Sequence, residues 1–212
     1  MNYKDYEEIV KAVPYTESLQ YKLAIMWLHP CHLPVGVIGV GEDAEGVVKI
    51  PAESVNEYGN KVPVIAISRD AFSGREKITD IVLPGSITRI PSWSFAGCTG
   101  LKRITIPKKI KYINEGTFDG CESLTDVYYE GSPEEWKAVE IVHEKHEIEF
   151  GDLIPGTPVQ ETVSERLIHI PGNDALFKAN IHFHCSLSGL DYNPEFCLRT
   201  GGKDITEFFR TM

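Results

Sequence analysis

Three consecutive segments of 23 residues between Val64 and Ser132 repeat one pattern, and this recurrence constrains the fold more than any other property of the chain. They read VIAISRDAFSGREKITDIVLPGS, ITRIPSWSFAGCTGLKRITIPKK and IKYINEGTFDGCESLTDVYYEGS. Laid in register, they give the columns Val64/Ile87/Ile110, Ile67/Ile90/Ile113, Phe72/Phe95/Phe118, Gly74/Gly97/Gly120, Ile78/Leu101/Leu124, Ile81/Ile104/Val127 and Leu83/Ile106/Tyr129. A fixed period within about 20 to 50 residues marks a solenoid, because one unit cannot bury its apolar face alone and must stack on its neighbours. Like then lies on like, with strands pairing in parallel at about 4.8 Å per layer. The phenylalanine column fills a corner, and the glycine column marks a turn that needs a positive φ or has no room for a side chain.

Leu101, Ile104, Ile106 and Pro107, with Ile90, Phe95, Gly97 and Cys98, spell Leu-x-x-Ile-x-Ile-Pro, then Ile, then Ala-Phe-x-Gly-Cys. On these residues the array resembles the BspA-type leucine-rich repeat. Arg75 stands in the cysteine slot of the first unit and Glu130 in the proline slot of the third, as expected where an array begins and ends. Outside the array, VVKIPAE (47–53) resembles the family's opening strand, and YYEGSPEEW (128–136) with GNDALFKANIHFH (172–184) resembles its closing unit. The resemblance implies a strand-dominated, right-handed leucine-rich-repeat solenoid of the α/β class, with about three regular coils and a capping unit at each end. It also implies a bacterial, non-enzymatic module that recognises proteins or surface glycans, often in adhesion, in a family often secreted or held at the cell surface.

The expected organisation is a single domain over 1–212. A helix, hairpin and expanded first coil occupy 1–63, the three repeats 64–132, and a C-terminal cap 133–212 with a divergent insert at 137–171 and a terminal helix. A net charge of −10 argues against a general nucleic-acid or anionic-membrane binder, which needs a broad positive surface. No apolar run reaches the length of a membrane span. The opening residues MNYKDYEEIVKAVPY lack the basic and apolar regions of a secretory signal, so export is not expected from these residues, although the resemblance points outward. Five cysteines do not have the spacing of a small disulfide framework, and Cys98 and Cys121 share one repeat column, where buried free thiols are the simpler reading.

Tyr3, Tyr6, Ile9, Val10 and Val13 fall at helical spacing before Pro14, predicting a short amphipathic helix that covers the first coil. Leu19, Tyr21, Leu23, Ile25 and Trp27 alternate as a strand, HPCHLP (29–34) is a loop, and VGVIGV (35–40) and VVKI (47–50) are expected to form a hairpin. Twelve residues separate Pro51 from Val64 where two separate Pro84 from Ile87, so the first coil carries an expansion with the turn-like NEYGNK. Ser132, Pro133 and the acids after them predict a helix start. IHFHC (181–185) is read as a final strand. Asp204 begins a capping-box-like pattern ahead of Ile205, Phe208, Phe209 and Met212.

No pattern recommends an enzyme. GVGEDAEG lacks the phosphate-loop spacing and places acids where a phosphate would lie; there is no Gly-x-Ser-x-Gly; and HEKHE (143–147) is not His-Glu-x-x-His. The alternative function is a metal-dependent or hydrolytic enzyme using His29, Cys31, His32, His143, His146, His182, His184 and Cys185. A zinc site would need about four such ligands to converge, and no metal or cofactor is expected.

A binding surface is better supported. Positions between the core columns form an exposed sheet: Thr79, Asp80 and Val82, then Lys102, Arg103 and Thr105, then Thr125, Asp126 and Tyr128. Lys102, Arg103, Lys108, Lys109 and Lys111 occur with no acid among them in an otherwise acidic chain. That basic run reads either as a dock for an anionic partner or as a solvated face offset by Asp80 and Asp126. Trp93 shares a column with Asp70 and Gly116 and is either an interface anchor or packed on the loop at 52–61. The expected binding set is Trp93, Lys102, Arg103, Thr105, Lys109, Lys111 and Tyr128, facing a protein or surface glycan.

Overall fold

The structure is a computed structural model and describes residues 3–23, 34–56, 58–142, 145–150, 165–170, 172–185, 199–200 and 203–204. The chain runs α1 (Tyr3–Ala12), β1 (Leu19–Leu23), β2 (Val35–Val40), β3 (Gly46–Lys49), β4 (Glu53–Val55), β5 (Lys61–Ile67), β6 (Ile78–Val82), β7 (Arg89–Ile90) and β8 (Arg103–Ile106). It continues with β9 (Tyr112–Ile113), β10 (Asp126–Tyr129), α2 (Pro133–Lys137), β11 (Glu140–Ile141), β12 (Lys145–Phe150), β13 (Glu165–Ile170), α3 (Asp174–Lys178), β14 (Asn180–His182), β15 (Arg199–Thr200) and β16 (Lys203–Asp204).

The repeat is written directly into the strand register. Asp80, Arg103 and Asp126 are successive partners across β6, β8 and β10, as are Ile81, Ile104 and Val127. These strands pair in parallel, and the sheet is completed by β3 beside β6 and β14 beside β10. A second parallel ladder joins β7, β9 and β11 on another flank of each repeat. This is a strand-dominated leucine-rich-repeat fold. The phenylalanine column stacks as expected, with ring centroids 5.4 Å apart for Phe72 and Phe95 and 5.6 Å for Phe95 and Phe118. Gly74, Gly97 and Gly120 all have φ near 70°, and a Cβ on Gly120 would lie 3.4 Å from the Gly97 Cα, so each turn sits close against the one before it. Cys98 and Cys121 are buried free thiols that donate to the carbonyls of Phe72 and Phe95, at 3.0 and 3.1 Å.

Several expectations change. The strands at 35–40 and 46–49 do not form a hairpin: β2 pairs with β1 and β5, whereas β3 pairs with β6 in the other sheet. The GEDAEG turn carries the chain from one layer to another, as the turns inside the repeats do. The expansion before Val64, with its turn in NEYGNK as expected, is the hairpin of β4 and β5, and that turn is held by Asn56 Oδ1 accepting from the backbone N–H groups of Tyr58 and Asn60. β11 stacks on β9, so regular stacking runs on to Val142, into the stretch expected as insert. β12 and β13 pair antiparallel over six residues each. Asp204 lies in β16, and residues 205–212, the expected terminal helix, fall outside the described residues.

At the end of the repeats, Asn173 stands in for the next unit. Phe72 and Phe95 N–H groups donate to the carbonyls of Ser94 and Thr117 in the following repeat; the Phe118 N–H donates to Asn173 Oδ1 at 3.2 Å. The Asn173 amide also donates to the carbonyls of Asn114 and Val142, each at 2.9 Å, and the residue is fully buried. One side chain thus satisfies three backbone groups that another turn of the array would otherwise have met.

Candidate interaction surfaces

The sheet of β6, β8 and β10 has two faces, because alternate residues of a strand point opposite ways. Ile81, Ile104 and Val127 point inward to the main core. Asp80 and Val82, Arg103 and Thr105, and Asp126 and Tyr128 point outward, and this is the face expected to be exposed. It is not exposed: Asp80, Thr105 and Tyr128 are at most 1% accessible, and Val82 3%. The cover is α1. Tyr6 and Val10, four residues apart on the helix, pack with Val82, Tyr128 and Cys185 in a small second core. The helix therefore covers the first coil at Val82, as expected, but on the outer sheet face and reaching on to Tyr128 of the third coil, and its buried face is narrower than the sequence implied, since Ile9 is exposed.

Beneath α1, Asp80 pairs with Arg103 and Asp126 with His182 across strands, while the Tyr6 hydroxyl is buried without a hydrogen-bond partner among the described residues. Arg103 donates through Nε and Nη2 to both carboxylate oxygens of Asp80, a fork geometry that fixes the guanidinium. This pairing raises the Arg103 pKa further above its ordinary value. The Arg103 guanidinium lies 5.2 Å from the centre of the Tyr6 ring. Tyr6 stacks on Tyr128 at 4.3 Å, and Tyr128 stacks on His182 at 4.8 Å. His182 Nε2 lies 2.8 Å from Asp126 Oδ1. Burial, with Asp80 beside it, pushes the Tyr6 phenol well up; burial and then Asp126 bring Tyr128 to about 12, so both phenols are neutral. Thr105 Oγ1 accepts from the Leu83 N–H at 3.1 Å.

Of the expected binding residues, Arg103, Thr105 and Tyr128 therefore belong to a covered surface, and their expected exposure is corrected by the helix above them. Lys102, Lys109 and Lys111 are exposed. Lys102 precedes β8 and Lys109 follows it, at opposite ends of the strand. Lys109 and Lys111 lead into the flank built by β7, β9 and β11, where the Arg89 guanidinium sits 4.9 Å from the centre of the Tyr112 ring.

Trp93 belongs to this flank, three residues after β7. Its column has a left-handed backbone in every repeat, with φ of 58° at Asp70, 62° at Trp93 and 60° at Gly116. Aspartate and glycine tolerate that conformation; a bulky tryptophan does not do so freely. The half-buried indole lies over Gly116, whose missing Cβ would come within 2.7 Å of ring atom Cε3. Trp93 thus packs on the next repeat.

His29, Cys31, His32 and His143 lie outside the described residues, and the side chain of His146 is not described. His182 is in β14, but His184 lies beyond it with φ of 59°, so the two do not share a strand face. Among the described residues no group of three or more His, Cys, Asp or Glu side chains is placed to hold a metal ion. No described helix is long and apolar enough to cross a membrane.

Residues 57–138 match a family model described as "BspA type Leucine rich repeat region (6 copies)", and the repeat array is of that type. Among solved structures, a leucine-rich repeat protein from Bacteroides ovatus is 27% identical, with a TM-score of 0.46 over 55% of this chain and 31% of that one. A T. pallidum leucine-rich repeat protein is 24% identical, with a TM-score of 0.44 over 55% of this chain and 52% of that one. A leucine-rich cell-surface protein from Faecalibacterium prausnitzii is 22% identical, with a TM-score of 0.41 over 60% and 42%. The match thus spans less than a third of the B. ovatus protein and about half of the T. pallidum protein. No curated protein sequence matches the chain.

Proposed function

We propose that this chain is a non-enzymatic interaction module whose β7–β9–β11 flank binds an anionic partner, an acidic protein surface or an acidic surface glycan. The scaffold of that reading is a single-domain, right-handed solenoid with three regular coils at 64–132. The units at 1–63 and 133–212 close its ends. Leucine-rich-repeat folds offer an extended surface repeated unit by unit, which suits recognition better than catalysis.

Trp93 carries the reading. A left-handed backbone costs a bulky L-residue roughly 1 to 2 kcal/mol, and strain of this kind gathers at functional positions. Here it holds a half-buried indole on the flank at a position where the neighbouring repeats have Asp70 and Gly116. Tryptophan is enriched among residues that dominate binding energy. Lys109 and Lys111 supply exposed positive charge next to the flank in a chain of net charge −10, which favours an anionic ligand. Lys102 stands apart from this set, while Arg103, Thr105 and Tyr128 are engaged under α1.

The test is a titration of the full chain against sulfated glycosaminoglycans and acidic polypeptides at low and physiological salt. The expected result is binding to one of the two classes, lost about tenfold or more in Trp93→Ala, equivalent to about 1.4 kcal/mol, and reduced in Lys109→Glu/Lys111→Glu. Failure of the wild type to bind either class, or binding indifferent to both variants, overturns the reading.

A further inference from the structure

We infer that the anionic partner of the β7–β9–β11 flank is a sulfated glycan and that Arg89 is the residue that selects it, an inference that rests on the proposed function and narrows it. Arg89 and Tyr112 are register partners in the parallel ladder of β7 and β9, and the guanidinium lies 4.9 Å from the centre of the Tyr112 ring. Attraction to the ring face orients the guanidinium, and its planar fork can take two oxygens of one oxyanion at once. Arg89 is exposed, as is Lys111 directly before Tyr112, and among the described residues neither makes an ion pair. Two available cations thus stand on adjacent coils, one of them already oriented. The acids beside them bound the site: Glu115 Oε1 accepts from Ser92 Oγ, and exposed Glu140 is the next register partner after Tyr112, on the β11 side. An anion is therefore favoured over β7 and β9 and disfavoured at β11.

What surrounds these cations favours a glycan over a protein. The buried centre of a protein–protein interface is apolar. Exposed large apolar side chains such as Val55, Tyr58 and Phe177 lie elsewhere, and none falls between Pro84 and Val142. The flank offers half-buried aromatic rings instead, Tyr112 and the indole of Trp93, which follows Arg89 in the same coil. A sugar ring suits that combination, because its C–H face packs on the negative face of an aromatic ring while its rim carries the anionic group to the guanidinium. A sulfate ester also keeps an oxygen for Lys111 once the fork has taken two, which a carboxylate does not.

The test titrates the full chain calorimetrically, at physiological salt, with a heparin-type sulfated oligosaccharide, an unsulfated polyuronate and a polyglutamate of matched charge. Wild type is expected to bind the sulfated ligand about tenfold or more tighter than either of the others. Arg89→Lys keeps the charge but loses the fork, so it is expected to weaken binding of the sulfated ligand about tenfold while leaving the weak polyglutamate binding in place. Arg89 is exposed, and circular dichroism of the variant confirms that the fold is unchanged. Polyglutamate or polyuronate bound as tightly as the sulfated ligand overturns the inference and leaves the interaction-module reading standing. A preference for the sulfated ligand that Arg89→Lys does not alter overturns the role of Arg89. Wild type that binds none of the three overturns both the inference and the reading beneath it.

Discussion

Tyr6 of α1 and Tyr128 of β10 stack with ring centroids 4.3 Å apart, although 122 residues separate them in sequence (128 − 6). That one contact changes which part of the molecule is available. It places a helix over the sheet face that the repeat pattern presents as the surface, while among the described residues Arg89, Lys109 and Lys111 on and beside β7 and β9 are exposed.

The stacked phenylalanines set the stability of the array. Phe95 is fully buried between Phe72 and Phe118. Phe95→Ala is expected to cost roughly 3 to 5 kcal/mol, because neighbours on both sides lose contacts. Urea denaturation followed by circular dichroism checks this.

Asn173 closes the array by hydrogen bonding alone. Asn173→Ala leaves the Phe118 N–H and the carbonyls of Asn114 and Val142 without that partner. The expected loss is about 2 to 4 kcal/mol, several buried groups being affected at once. Asn173→Asp should destabilise too, since a carboxylate can accept from Phe118 but cannot donate to the two carbonyls. Equilibrium denaturation of both variants tests the assignment.

The Asp126 and His182 pair gives stability a pH signature. Burial alone would raise the Asp126 carboxyl, but hydrogen bonds from His182 and from Thr125 Oγ1, together with nearby positive charge, bring it below its ordinary value. A carboxyl depressed in the folded state contributes stability that is present above its unfolded pKa and lost as pH falls through the folded one. Stability should therefore decline across and below the ordinary carboxylate range, and Asp126→Asn should flatten that part of the profile. Thermal midpoints measured from neutral pH downward give the comparison.

Cys98 and Cys121 are pushed by burial up to about 11 and about 12, and their thiols donate to buried carbonyls. At mildly alkaline pH both should resist alkylation in the folded protein, because the thiolate is the reactive form and is scarce there. Denaturant should release them together, which peptide-resolved mass spectrometry would show.

The repeat was legible because each column is filled by the same kind of residue every 23 positions, and register, phenylalanine stack and glycine turns follow from that recurrence. The Ser132 cap was legible for a local reason: Ser132 and Glu135 satisfy each other's backbone N–H groups in a capping box. What contacts α1 was not, because a helical pattern shows which side chains seek burial and not which surface receives them. The exchange between Asp80 and Arg103 could be read from their shared column, but its burial could not. Asn173 left no signal, since its role comes from three backbone groups between 31 and 59 residues away in sequence. The strain at Trp93 had a partial signal, a tryptophan in a column shared with aspartate and glycine.

Trp93→Gly tests the central claim most directly, because it separates stability from binding at one position. Glycine accepts φ near 62° freely, so relief of roughly 1 to 2 kcal/mol of backbone strain offsets the lost packing of the indole on Gly116. Thermal unfolding and titration against the anionic ligand should be measured on the same preparation. A midpoint close to that of the wild type together with loss of binding is the predicted result. A large drop in stability with binding per folded molecule unchanged would contradict the account and make Trp93 a structural residue only.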